Sequence, residues 1–397
     1  MRNTMKTFFL FMFCVFIIHK ANAQWIETTL FSSECIDNML VVGNDVYAGA
    51  KTGPGGLFKS TDNGVTWNAS DNGITYKQIY ALATDGTNLY AGTWNGGMYK
   101  STNNGSNWSA INNGISFPCI TALACSGSTL WAGAFNGEMY YSTNSGSSWT
   151  LAGQPYSYGP EAILIDGTKI YAGFNNGVHI TTNNGTTWTN SSAGFTDSTV
   201  MSILLDGSTL FAASWGGGVF RSVNGGNSWT ATNTGLGSWN VFPLLKNGNN
   251  LFAGTQGAGV HQSTDNGNTW TAINTGFVTY FPSYCLVANS THLFTGSYGT
   301  HGGVWRRPLS ELQSIDDNSA SNTFRLFPNP AVNEVSLTFN EPIQDDAVVR
   351  IYNSVGEEIQ NLKINKSESS VKIDISKLPA GVYLVKMNGY SDRFVKN

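Results

Sequence analysis

The chain has 397 residues, of which 12% are charged and 13% aromatic, with 45 glycines. That length points to more than one folding unit, the aromatic content excludes a disordered chain, and the scarcity of charge excludes a coiled coil. The formal net charge of −4 offers nothing to a phosphate backbone, so nucleic-acid binding is not expected.

Residues 1–23 read as a secretory signal peptide. Arg2 and Lys6 make a basic start, Phe8 to Ile18 is an apolar run, and Ala21-Asn22-Ala23 places small residues before a cut at Gln24. As a helix that run spans ~16 Å, about half a bilayer core, which favours cleavage over anchoring. No second run of that kind follows, so no transmembrane segment is expected after cleavage. Export permits disulfides. Four cysteines follow the leader: Cys35, Cys119, Cys125 and Cys285. Cys35 with Cys285 is the pair open to bridging, and buried thiols are the plainer reading. No zinc spacing is present.

Residues 24–309 are governed by a repeat. An aromatic, a small residue and usually Gly recur as Tyr47-Ala48-Gly49, Tyr90-Ala91-Gly92, Trp131-Ala132-Gly133, Tyr171-Ala172-Gly173, Phe211-Ala212-Ala213, Phe252-Ala253-Gly254 and Phe294-Thr295-Gly296. The intervals are 43, 41, 40, 40, 41 and 42 residues. A second signature, of the form KSTDNGVTW, ends at Trp67, Trp108, Trp149, Trp188, Trp229 and Trp270. Each unit is long enough for four short strands, A to D, with Gly- and Asn-rich turns between them. One such sheet cannot bury both faces, and radial stacking does so, which predicts an all-β, seven-bladed β-propeller. The seventh unit lacks its Trp strand. Trp25 precedes Trp67 by one period, so residues 25–30 are expected to supply that strand and close the ring.

The second signature resembles the Asp-box, or BNR, repeat. Asp62 and Asp265 match its acidic position, and Asn103, Asn144, Asn183 and Asn224 replace it in the other copies. The side chain at that position ties the turn, Gly takes positive φ, and Trp packs between blades. The boxes are therefore read as structural and not as metal sites. No cofactor or metal is expected.

Residues 310–323 read as a linker. In 324–397 charge returns and Val/Ile alternation appears, which predicts a small β-sandwich of Ig-like type. Leu326-Phe327-Pro328-Asn329-Pro330, Ile351-Tyr352-Asn353-Ser354-Val355-Gly356 and Leu378-Pro379-Ala380-Gly381-Val382-Tyr383-Leu384-Val385 resemble the type A C-terminal sorting domain of the type IX secretion system. The resemblance implies the secretion machinery as a partner through 324–397. It also implies delivery to the outside or the outer surface of a Gram-negative cell, with the tail removed there.

In such a ring the B–C turns and D–A connections share one face, opposite the boxes, and ligands are expected there. The B–C turns carry Trp94, Phe135, Phe174, Trp215 and Tyr298. The D–A connections carry Tyr76, Phe117, Tyr156, Tyr158, Trp239, Tyr280 and Phe281. Flat aromatics beside amides such as Asn95, Asn136, Asn175 and Asn176 suit sugar rings. Trp94, Phe135, Phe174, Trp215, Trp239 and Tyr298 are the candidate ligand-binding residues of a secreted module for polysaccharide or another extracellular partner. The alternative is a glycoside hydrolase, since Asp-box propellers include sialidases and xyloglucanases. A sialidase would need an arginine cluster, and the ring holds Arg221, Arg306 and Arg307, with Arg221 and Arg306 towards the box face. A carboxylate mechanism would draw on Glu138, Glu161 and Asp197, which fall in neighbouring blades. His179 and His261 occupy a strand-C slot filled elsewhere by Tyr99 or Phe220, so they are read as packing residues. A resemblance to the photosystem II assembly factor, another Asp-box propeller, implies shared fold alone.

Overall fold

The structure, a computed structural model, describes residues 24–28, 35–52, 55–196, 199–277, 281–299, 302–312, 324–327, 331–339, 346–353, 357–387 and 390–396. The leader, most of the linker, Asp197, Tyr280, Pro328-Asn329-Pro330 and Ser354-Val355-Gly356 lie outside these residues. The described residues fall into two units, divided between Glu311 and Leu312.

Short alternating runs with Gly/Asn turns can form antiparallel hairpins and little else. The first unit accordingly holds seven four-stranded sheets. We call them blades 1 to 7, beginning at Ile36, Ile79, Ile120, Ala162, Thr199, Val241 and Cys285. The first strand of each blade touches that of the next, and Cys285–Ala288 touches Ile36–Val42, so the ring is closed.

The aromatic-small-Gly signature exists because blades pack at this point. Its aromatics are buried in every blade. A Cβ at Gly92 would lie 2.7 Å from Ile120 Cγ2, and one at Gly133 would lie 2.1 Å from Pro160 Cγ. The inner strand of the following blade fills that space, so a side chain there would force neighbouring blades apart.

The boxes are turns held by their own side chains. Ser60 Oγ accepts from Gly64 N at 2.8 Å, and Asp62 Oδ1 accepts from Thr66 N at 2.9 Å. Thr66 Oγ1 donates to Asp62 Oδ2 at 2.6 Å. Where Asn replaces Asp, the donor reverses: Asn144 Nδ2 donates to Ser148 Oγ and Asn183 Nδ2 to Thr187 Oγ1, each at 2.9 Å. Both chemistries satisfy the same turn. Hydrogen bonds from Thr66, against a small opposing effect of burial, hold the Asp62 carboxyl down at about 2.

In blades 2 to 6 the box ends in a Trp that staples its blade to the previous one. Trp108 Nε1 donates to Ser70 O, Trp149 to Ile111 O, Trp229 to Ser191 O and Trp270 to Thr232 O, at 2.7–2.9 Å. Trp25 repeats this bond, to Ile273 O at 2.7 Å. Its backbone N–H donates to Thr275 O at 2.8 Å, as Trp270 N does to Thr234 O. Ile26 and Glu27 pair with Arg306 and Trp305. The strand missing from the seventh unit is therefore supplied from 41 or more residues before the first complete box strand, across the seam of the ring.

In the second unit a three-stranded and a four-stranded antiparallel sheet share one core. Alternate residues of the Val-rich strands, such as Val335, Leu337 and Phe339 or Val349 and Ile351, fill it. Tyr383 stacks on Phe394 at 5.4 Å, and its hydroxyl donates to Pro379 O at 2.7 Å. Among the described residues no helix is long and apolar enough to cross a membrane.

Candidate functional site at the channel mouth

The inner strands surround an axial channel with a cavity of about 470 Å³. Every blade contributes one residue at its mouth: Asp37, Tyr80, Thr121, Glu161, Met201, Phe242 and Tyr284. Each stands ten positions before its blade's signature aromatic. In blades 1, 2, 3, 5 and 6 the ladder between the first two strands slips at this residue. A bulge takes a residue out of the pleat and re-aims its side chain, here into the channel. In blades 4 and 7 the residue lies just before the strand begins.

A second ring lies beside the first. It consists of the residues four positions after the signature aromatic: Lys51, Trp94, Phe135, Asn175, Trp215, Gln256 and Tyr298. Backbone bonds anchor it two positions before the first ring: Lys51 N donates to Cys35 O, Trp94 N to Gln78 O and Phe135 N to Cys119 O.

Aromatics from the two rings form belts on opposite arcs. Tyr80 stacks on Trp94 at 5.1 Å, and Trp94 meets Phe135 edge-on at 4.9 Å. On the other arc Trp215 meets Phe242 at 5.1 Å, Phe242 meets Tyr284 at 4.6 Å, and Tyr284 meets Tyr298 at 5.4 Å. Phe135, Trp215 and Tyr298 are 45%, 43% and 51% exposed. Trp239, in the connection between blades 5 and 6, is 61% exposed. Four of the expected binding residues thus join the channel mouth, and Trp239 stands on the same rim. Phe174 does not. It is fully buried, edge-on to His179 at 5.1 Å, and cannot stack on a ligand. It stands three positions after its signature aromatic, and in a strand that parity points between blades. Phe281 is likewise buried, stacked on Phe277 at 3.7 Å.

The charged residues of the mouth stand in blades 1 and 4, at the two ends of the Tyr80–Trp94–Phe135 belt. Lys51 Nζ lies 2.9 Å from Asp37 Oδ2 and 4.7 Å from the centre of the Tyr80 ring. Cys35 Sγ donates to Asp37 Oδ1 at 2.9 Å. Burial opposes the Lys51 charge, but Asp37 outweighs it and holds the ammonium above its usual range. The Glu161 backbone N–H donates to Gly173 O at 2.9 Å, while its carboxylate meets no hydrogen-bond donor among the described residues. It opens to channel water, yet the surrounding wall removes enough bulk solvent to raise its pKa. Lys51 acts against that rise and Asp37 adds to it. Burial raises the Tyr284 hydroxyl to about 12.

Glu138 is placed differently. It does not line the cavity, and its carboxylate accepts from Tyr140 and from Ser116 Oγ at 3.2 Å. Burial pushes it up, but these bonds and Asn136 outweigh burial and hold it below the ordinary range. The carboxylate that lines the channel with Glu161 is Asp37, which the sequence reading did not single out. Counting ten back and four forward from each aromatic would have found Asp37, Lys51, Tyr80 and Tyr284. Among the described residues Cys35, Cys119, Cys125 and Cys285 form no disulfide, so the pairing of Cys35 with Cys285 is not made. Among the described residues no three His, Cys, Asp or Glu side chains are grouped to hold a metal ion.

Residues 325–397 match the family described as the secretion system C-terminal sorting domain. Residues 161–301 match the DUF6242 beta propeller domain. No curated protein matches the chain in sequence. Among solved structures the chain resembles PorZ of Porphyromonas gingivalis, a surface component of the type IX secretion system, at 14% identity and TM-score 0.56. That match covers 92% of this chain and 59% of PorZ. YCF48 from Cyanidioschyzon merolae is 16% identical with TM-score 0.57, covering 72% and 98% of the two chains. A xyloglucanase from Xanthomonas campestris is 14% identical with TM-score 0.55, covering 81% and 60%. At such identities these structures share the fold. The chain is therefore a β-propeller protein with a type IX sorting tail, which marks it for secretion to the cell surface or beyond.

Proposed function

We propose that this secreted propeller is a binding module for polysaccharide, and that the ligand enters the channel mouth on the face of the B–C turns. The observation that carries this reading is the convergence of two aromatic belts on the ring of channel residues. Sugars present apolar C–H faces to such rings, and the Asn175 and Gln256 positions of the outer ring offer amides to their hydroxyls. The cavity is of the size that small ligands occupy. Delivery of the module to the outside places it where extracellular polymers are found. The Asp-box identity of the turns belongs to the same reading, as does removal of the tail after export.

Affinity electrophoresis against a panel of polysaccharides tests it. Trp94→Ala and Trp215→Ala remove one ring from each belt, and each is expected to weaken retardation by about tenfold. Wild-type retardation by both variants would remove the reading. A hydrolytic reading has one observation in its favour, that Asp37 and Glu161 both line the channel. The same panel scored for reducing ends decides it.

A further inference from the structure

The charges at the channel mouth do not cancel. Asp37 is engaged by Lys51 at 2.9 Å. Lys51 is thereby occupied, held between Asp37 and the face of Tyr80. Glu161 is left as the carboxylate without a hydrogen-bonded partner among the described residues, and it lines the same cavity. The aromatic wall next to it already accepts one ammonium group, that of Lys51 on Tyr80. A negative group beside exposed π faces is the environment that attracts an organic cation.

We propose that the sugar recognised at this mouth carries a protonated amine, as in an unacetylated amino-sugar polymer, with Glu161 as the counter-ion of that amine. The inference rests on the polysaccharide reading and deepens it. Sugar rings stack along the Tyr80–Trp94–Phe135 belt, and the ammonium reaches Glu161. Anionic polymers are disfavoured, because Lys51, the cation lining the mouth among the described residues, is already paired with Asp37. Acetylation of the amine removes both its charge and its fit to the carboxylate.

Titration calorimetry of the secreted chain with the glucosamine hexamer and the N-acetylglucosamine hexamer tests the idea. The unacetylated oligomer is expected to bind about tenfold more tightly, the size of one charge-assisted hydrogen bond in a partly screened site. Glu161→Gln should bring the two oligomers to equal affinity, and added salt should shrink the wild-type preference. A thermal melt of the variant establishes that it is folded. Equal binding of the two oligomers by the wild type overturns the inference and leaves the polysaccharide reading standing. Retention of the preference in Glu161→Gln does the same. Absence of binding to either oligomer, with Glu161-dependent binding of oligolysine in its place, overturns the amino sugar as the source of the amine. Absence of all binding removes both readings.

Discussion

Trp25 offers the sharpest test of ring closure. It is 2% exposed, stacks on Phe277 at 4.8 Å and 16°, and donates its indole N–H to Ile273 O at 2.7 Å. Replacing a buried Trp by Ala costs about 3–5 kcal/mol through lost transfer energy and the cavity left behind. The lost hydrogen bond lies within that range at about 1 kcal/mol. Trp25→Phe keeps the stacking and should cost about 1–2 kcal/mol. Trp229→Ala, at an interior seam with the same indole-to-carbonyl bond, is the control. All 12 tryptophans lie before residue 312, so their fluorescence in a urea titration reports on the propeller unit by itself. The expected order of midpoints is wild type, then Trp25→Phe, then Trp25→Ala and Trp229→Ala at similar values. A chain-terminal arm that merely rests on the surface would lose under ~0.5 kcal/mol. Trp25→Ala with a wild-type midpoint, beside a lowered midpoint for Trp229→Ala, would refute closure by the N-terminal strand.

Two titrating groups give further predictions. The Glu161 pKa is raised in the folded chain, so its contribution favours folding at low pH and is lost as the pH rises through that value. Glu161→Gln is therefore expected to melt higher than wild type at pH 7, with the difference closing in acid; a lower melting point at pH 7 contradicts the assignment. His261 is 2% exposed, and burial lowers its pKa to about 4. Its Nε2 accepts from Gly237 N at 3.1 Å, which requires the neutral ring. The unfolded chain takes up this proton first, so stability is complete above the ordinary histidine range and falls between about pH 6.5 and 4. The loss on going from pH 7 to 5 is about 2 kcal/mol. His261→Phe, which places there the residue found at Phe220, should abolish that part of the acid loss in urea titrations at the two pH values. An unchanged pH dependence counts against it.

The ring could be read from the sequence because its packing is local and repeated. Glycine stands at six of the seven places where the next blade presses on the strand, with Ala213 at the seventh, and Trp stands where an indole reaches back to the previous blade. Trp25 was legible for the same reason, since it keeps the period. The channel was not, because a bulge breaks the two-residue alternation on which the reading of strand faces depends. Asp37 and Tyr80 sit at such breaks. Phe174 was misplaced by a single step of that alternation: its neighbour Asn175 occupies the exposed position, while Phe174 turns inward. Lys51 was overlooked because one lysine amid aromatics carries no pattern until the seven turns are aligned on their aromatics. The sorting tail was legible from its motifs, and the comparison covers the same stretch.

The bulges have a consequence for how such a protein can change. A residue lifted out of the ladder has no opposite residue across the strand. The five channel-mouth positions at bulges can therefore be exchanged without breaking the ladder that holds them. With the seven turn positions beside them, they form a recognition surface that can be rewritten residue by residue on an unaltered frame. Related propellers could then meet different extracellular chemistry while keeping the same seams, glycines and indoles.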